Sequence, residues 1–418
     1  MPKFVSVVLL IGLVACFGAS RGQAASSFPL HDGDRVVFYG DSITQDGAYG
    51  LLVEEYVRTR FPQWDIRFYN AGVGGDRVDG GGQGDIATRL ARDVVSLHPT
   101  VVTIMLGMND GSYRRFDPAI EEHFSKGYSS IVAELQKQLP GVRLYLILPS
   151  PFDDVSRPPQ FEPGYDSTLR KLGESVAAIA RENHLETIDF GEPLNSGIAS
   201  VFKSNPELAR TLLPDRVHPS PAGHLVLGAA LLRAWHAPSV VSRVEIDMAA
   251  KSAGVSENST VSAIAAGEGK WSWEELDTAL PLPINYQDET VILAEEAGAG
   301  LELLGTESLR VTGLAEGSYA LGIDGKEVGT FTKTDLEKGI DLARFDTPMR
   351  GQAFWVLWGA ASSHQDQLVR REMMAYSPKT TDVTVATDSL AAFDEANQAR
   401  RSRSAIPKPH TFSLTLLR

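Results

Sequence analysis

The chain has 418 residues, 43% of them hydrophobic, with a formal net charge of −14 and a single cysteine. That length exceeds one average domain and is enough to bury a sizeable core, so two domains are expected. The acidic balance, with no basic patch interleaved with aromatics, argues against nucleic acid as a partner, and one cysteine excludes an internal disulfide framework.

Met1-Pro2-Lys3 and the apolar run from Phe4 to Val14 read as an export signal, too short to span a bilayer as a mature helix. Two endings compete. Leu13-Val14-Ala15-Cys16 resembles a bacterial lipobox and would leave a lipid anchor at Cys16, the one expected link to a membrane, whereas Gly22-Gln23-Ala24 suits ordinary cleavage before Ala25. The expected division is a signal at 1–24, a first domain at 25–238 and a second at 239–418, with a periplasmic or extracellular destination.

From 30 to 237, strand-like runs at 35–39, 65–69, 100–106, 142–149 and 185–190 alternate with helical stretches near 46–60, 85–97, 118–138, 165–183 and 221–236. This is the pattern of an α/β domain with a parallel sheet covered on both faces. Four segments carry candidate chemistry. Gly40-Asp41-Ser42 ends a β-branched and aromatic run and delivers a hydroxyl to the C-terminal edge of a strand, where open α/β sheets bind ligands; taken alone, Ser42 is also a preferred helix cap. In Asn70-Ala71-Gly72-Val73-Gly74-Gly75-Asp76 the glycines let backbone N–H groups turn toward a ligand, or make a plain turn. Gly107-Met108-Asn109-Asp110 closes a buried-looking strand with an amide able to donate to an oxyanion or to form an Asx turn. In Asp215-Arg216-Val217-His218 the carboxylate is near enough to accept the imidazole Nδ1–H and leave Nε2 as a base, although such pairs are also common in exposed turns.

These four blocks, in this order, resemble the SGNH (GDSL) hydrolase superfamily over about residues 30–237. The resemblance implies a flavodoxin-like sheet flanked by helices, with Ser42 as nucleophile, His218 as base and Asp215 as its orienting partner. It also implies an oxyanion hole formed by the Ser42 and Gly75 N–H groups and the Asn109 side chain. The absence of a Gly-x-Ser-x-Gly elbow fits this family rather than the ordinary α/β-hydrolase fold. The chemistry expected is acyl transfer through an acyl-serine, with no metal or cofactor. Asp79-Gly80-Gly81-Gly82-Gln83-Gly84 lacks the Lys-Ser or Lys-Thr of a phosphate loop and reads as a flexible rim loop. The remaining histidines lack metal-ligand spacing, and His224 reads as packing against the active-site loop. The 149–159 loop reads as a wall of the cleft or an ordinary surface loop.

After Pro238 the pattern changes to strands at 308–312, 318–323 and 326–331, the last two joined at Asp324-Gly325, with a capping box at Thr334-Asp335-Leu336-Glu337 and a helix at 352–376. A β-rich α+β domain is expected. Trp271 and Trp273 would share one side of a strand, as a sugar platform or as core, and together with Trp355 and Trp358 they are expected to dock this region firmly on the first. Arg400-Arg401-Ser402-Arg403 reads as a solvated helix end. The function expected is an exported serine esterase acting on acetyl esters of carbohydrate. The alternatives are a lipid, aryl or thioester hydrolase of broad acyl specificity and a non-catalytic glycan- or surface-binding protein on the same scaffold. Oligomeric state stays open.

Overall fold

The computed structural model describes residues 28–377 and 379–417, so the expected export signal and Cys16 lie outside the described residues. Val36, Val37, Phe38 and Tyr39 are fully buried, which makes β1 (Arg35–Gly40) a strand covered on both faces, as the centre of a parallel sheet requires. It is followed by α1 (Ser42–Asp46), α2 (Ala48–Arg60), β2 (Arg67–Gly72), β3 (Gly80–Gly81), β4 (Gly84–Asp85), α3 (Ile86–Asp93) and β5 (Val101–Met105). Then come α4 (Pro118–Gln138), β6 (Arg143–Ile147), α5 (Tyr165–Glu182), β7 (Glu186–Ile188), α6 (Gly191–Ser204), α7 (Pro206–Arg210) and α8 (Pro221–Ala234). Five of these strands form one parallel sheet in the order β2-β1-β5-β6-β7, the flavodoxin-like arrangement flanked by helices.

Alternate side chains feed the two faces. Val36 and Phe38 pack with Val53 and Tyr56 of α2 and Leu227 of α8, while Val37 and Tyr39 pack with Ile131 of α4 and Val176 of α5. Gly40 stands opposite both Gly72 and Met105, so three strands end together and the loops after them meet at one edge. The helix expected at 46–60 starts at Ser42 and breaks at Gly47, whose φ is +83°. A Cβ there would lie 2.6 Å from Asn70 Nδ2, so neither conformation nor space admits a side chain. The 79–84 stretch is not a plain rim loop: β3 and β4 pair Gly80 with Asp85 and Gly81 with Gly84.

The second half contains β8 (Val240–Asp247), β9 (Ser252–Glu257), β10 (Ser259–Gly267), β11 (Lys270–Asp277), α9 (Glu289–Glu296), β12 (Thr306–Thr312), β13 (Ser318–Ile323) and β14 (Lys326–Thr332). It ends with α10 (Lys333–Lys338), β15 (Ile340–Asp341), α11 (Pro348–Tyr376), α12 (Thr381–Ser404) and β16 (His410–Leu417). One sheet runs β10-β11-β16-β13-β14 and another β15-β12-β8-β9. A single apolar cluster joins Trp273, Tyr319 and Phe412 from the first to Val244, Leu309 and Val311 from the second. Trp273 stacks on Phe412 and Trp271 meets Tyr319 edge-on, so both tryptophans serve the core. The capping box falls two residues earlier than expected, with Thr332 and Asp335 exchanging bonds of 3.1 and 2.9 Å.

Contact with the first sheet differs from expectation. Trp355 and Trp358 are 68% and 63% exposed and do not dock. Instead Leu282, Ile284, Val291 and Leu301 join the core beneath the first sheet, and α11 and α12 lie along its edge strand β2. Gln367 Oε1 accepts the Asn70 N–H and its Nε2 donates to the Phe68 carbonyl, each at 3.0 Å, while Gln398 Oε1 accepts the Phe68 N–H at 3.2 Å. Arg401, expected in solvent, is 4% exposed and pairs with Glu54 at 3.2 Å. Burial alone would raise the Glu54 pKa, but Arg58 and Arg401 outweigh it and hold the carboxyl well below its ordinary range. Among the described residues, no helix is long and apolar enough to cross a membrane.

Candidate active site

Ser42 is the first residue of α1, directly after the β1 edge. Asp41 caps that helix by accepting the Ile43 N–H at 3.0 Å, which leaves the Ser42 N–H without an acceptor among the described residues. The serine Oγ lies 2.8 Å from His218 Nε2, and His218 Nδ1 lies 2.6 Å from Asp215 Oδ2. Asp215 Oδ1 also accepts the backbone N–H groups of Val217 and His218 at 2.9 and 2.7 Å, so one carboxylate fixes both the loop and the ring. Partial burial pushes the Asp215 pKa up, but the His218 hydrogen bonds outweigh it, leaving the carboxyl below its usual range and ionised at neutral pH.

The histidine loop is braced from the segment expected as a wall of the cleft or an ordinary surface loop. In the 149–159 loop, Arg157 donates to the carbonyls of Leu213 and Pro214, both at 3.0 Å, and Arg216 reaches back to the Pro158 carbonyl at 3.0 Å. That loop is therefore a strut for the Asp215–His218 segment.

Gly75 follows β2 with φ of +77°, a conformation that disfavours any other residue, and its N–H has no acceptor among the described residues. A Cβ on the neighbouring Gly74 would come within 3.9 Å of Ser42 Cβ, so this turn borders the serine. Asn109, after β5, donates from Nδ2 to the Asp76 carbonyl at 3.1 Å and accepts from Tyr113 Oη at 3.3 Å, which fixes its amide in the same group of loops. One Nδ2–H remains for a ligand. The cleft beside Ser42 and His218 is bounded by Gln45, Asp46, His224 and Leu368 and encloses about 380 Å³.

Residues 38–226 match the GDSL-like lipase/acylhydrolase family. Residues 38–226 form a domain of the SGNH hydrolase superfamily. The chain is 29% identical over 228 residues to an acetylxylan esterase of Geobacillus stearothermophilus, an alignment that covers 49% of this chain and 94% of that one. Among solved structures, a gut microbial diltiazem-metabolizing enzyme is 25% identical, with a TM-score of 0.83 over 94% of this chain and 99% of the other. The crystal structure of the Geobacillus acetylxylan esterase is 27% identical and covers 49% of this chain and 94% of that one, with a TM-score of 0.39. The protein is a carboxylic ester hydrolase.

The structure adds residues to this SGNH centre that sequence reasoning passes over. Each of three motif blocks carries an aspartate beside its named residue, and Asp41, Asp76 and Asp110 are all buried beneath the site. Burial raises Asp41 to about 7 and Asp110 to about 6; Asp76 is also raised by burial, against the pull of Arg89 at 2.7 Å. His224 stacks on Tyr49 and places Nε2 3.0 Å from Asp46 Oδ1, which agrees with a packing role. Leu368 reaches the cleft from α11, more than 300 positions after Ser42, and nothing local in the sequence signals it.

Proposed function

We propose that this SGNH hydrolase is an exported serine esterase that removes short acyl groups, acetyl foremost, from saccharide esters. The observation that carries the reading is the chain of hydrogen-bond distances from Ser42 through His218 to Asp215, at 2.8 and 2.6 Å. In it, Ser42 Oγ attacks the ester carbonyl carbon while His218 Nε2 takes the hydroxyl proton. Asp215 remains ionised, orients the ring and favours the imidazolium that forms. The oxyanion is met by the N–H groups of Ser42 and Gly75 and by Asn109 Nδ2. Collapse releases the alcohol with the proton from His218, and water, deprotonated by the same nitrogen, frees the acid from the acyl-serine.

The saccharide preference is supported by the relative named as an acetylxylan esterase, whose match covers 49% of this chain. Acetate release from acetylated xylan, measured beside p-nitrophenyl acetate hydrolysis, tests the reading. Activity on the aryl ester without release from xylan removes the saccharide assignment, and inactivity on both removes the short-acyl assignment. A second reading, hydrolysis of larger apolar esters, is favoured by an apolar cavity that adjoins the cleft at His224.

A further inference from the structure

Beyond His224 lies a second cavity of about 350 Å³, walled by Leu51, Leu225, Leu282, Ile284, Val291 and Leu357. The walls come from α2, α8, the 282–291 segment and α11, so both halves of the chain build it. Leu51, Leu225 and Leu357 are only half-buried, which leaves apolar surface open to a ligand. His224, itself 2% exposed and held on Asp46, borders both this cavity and the catalytic cleft.

Four polar residues, Glu55, His224, Asn285 and Asp288, interrupt this apolar lining. Glu55 is 1% exposed, lines the cavity, and has no partner for either carboxyl oxygen. Its burial and the adjacent Glu54 charge drive its pKa far above the usual range. An apolar hollow of a few hundred Å³ with a few polar groups in its lining is the make-up of a small-molecule site.

We infer that this cavity receives the apolar part of the substrate ester, on its acyl or its alcohol side. The inference rests on the serine-esterase reading but not on the saccharide preference. Adjacency to the cleft at His224 is what assigns the cavity to the substrate rather than to a separate ligand.

The test compares kcat/KM of the full-length enzyme along two series. p-Nitrophenyl acetate, butyrate and hexanoate lengthen the acyl side; phenyl, 1-naphthyl and biphenyl acetates enlarge the alcohol side. The wild type is expected to gain about tenfold or more along one series, the scale of a group fitted to an apolar pocket. Leu357→Trp and Leu225→Trp fill the cavity from opposite walls and are expected to abolish that gain while leaving p-nitrophenyl acetate within about twofold and the melting temperature unchanged. A wild type flat or falling along both series overturns the inference, as does a folded filling variant that keeps the wild-type gain. Inactivity toward every ester overturns the esterase reading beneath it instead.

Discussion

Replacing Asp215 by asparagine separates the structural from the chemical work of that carboxylate. An asparagine Oδ1 can still accept the Val217 and His218 backbone N–H groups, so the loop should keep its shape. The change falls on the other oxygen, where an N–H₂ would face the imidazole Nδ1 at 2.6 Å. The ring must then carry its proton on Nε2, pointing at Ser42 Oγ instead of accepting from it. Two losses add. An ion pair about 4 Å apart is worth ~1 kcal/mol in water and ~4 kcal/mol near a protein surface. Because the Asp215 side chain is 56% exposed, solvent screening limits this to about 2 kcal/mol. The wrong tautomer costs about another 2 kcal/mol, the size of a hydrogen bond to a charged group. Together they predict a fall in kcat of roughly 10³-fold. Steady-state hydrolysis of p-nitrophenyl acetate, with a thermal melt to check folding, measures it. A well-folded variant that loses less than about tenfold, or one that loses more than His218→Ala, would refute this division of roles.

Ser42→Ala is expected to lower turnover by ~10⁴-fold or more with an unchanged melting temperature, because only the nucleophile is removed; near-normal hydrolysis would end the assignment. Stability should fall as pH rises. Burial lifts Glu275 to about 8 and Asp277 to about 6, and drives Glu307 well above its ordinary range, so the folded state keeps protons that the unfolded chain releases above about 4.5. The stabilisation is complete below that value and lost through pH 8. Melting temperatures should therefore decline from about pH 5 to about pH 9, with a shallower slope in Glu307→Gln, and a rising curve would contradict this. A chain cut to residues 25–240 should be insoluble or strongly destabilised, because it loses the apolar residues after 282 that complete the first core and the side chains that cover β2; a soluble product with full-length melting temperature and p-nitrophenyl acetate rate would contradict that.

The catalytic loops are legible in the sequence because each chemical residue sits close to a strand end or helix start that its own neighbourhood marks. A buried β-branched run stops at Gly40, and a glycine turn or an amide follows the next two strands. The rest depends on contacts that no local pattern carries. The inner face of α12 is polar, built from Asp394, Asn397, Gln398 and Arg401, so it shows no apolar period and its basic end reads as solvated. Trp355 and Trp358 err the other way, since their size suggests burial and α11 turns them outward. Leu368 and Leu357 reach the cavities only because α11 crosses to α2 and the first sheet, a packing choice written in no single segment.

The amide side chains of Gln367 and Gln398 stand where a sixth strand would otherwise bond to β2, and they do so from 297 and 330 positions further along the chain. A polypeptide emerging N-terminus first therefore completes its catalytic sheet long before it owns the groups that close the sheet's open side. In that interval the Phe68 and Asn70 backbone groups offer a template for any extended segment, including the same segment of another copy. Closure by residues so distant also places a slow, long-range event late in folding. The last helices thus cover the open edge of the first sheet, and changes at Gln367 or Gln398 should register first as lost yield of native protein and only afterwards, if at all, as altered turnover.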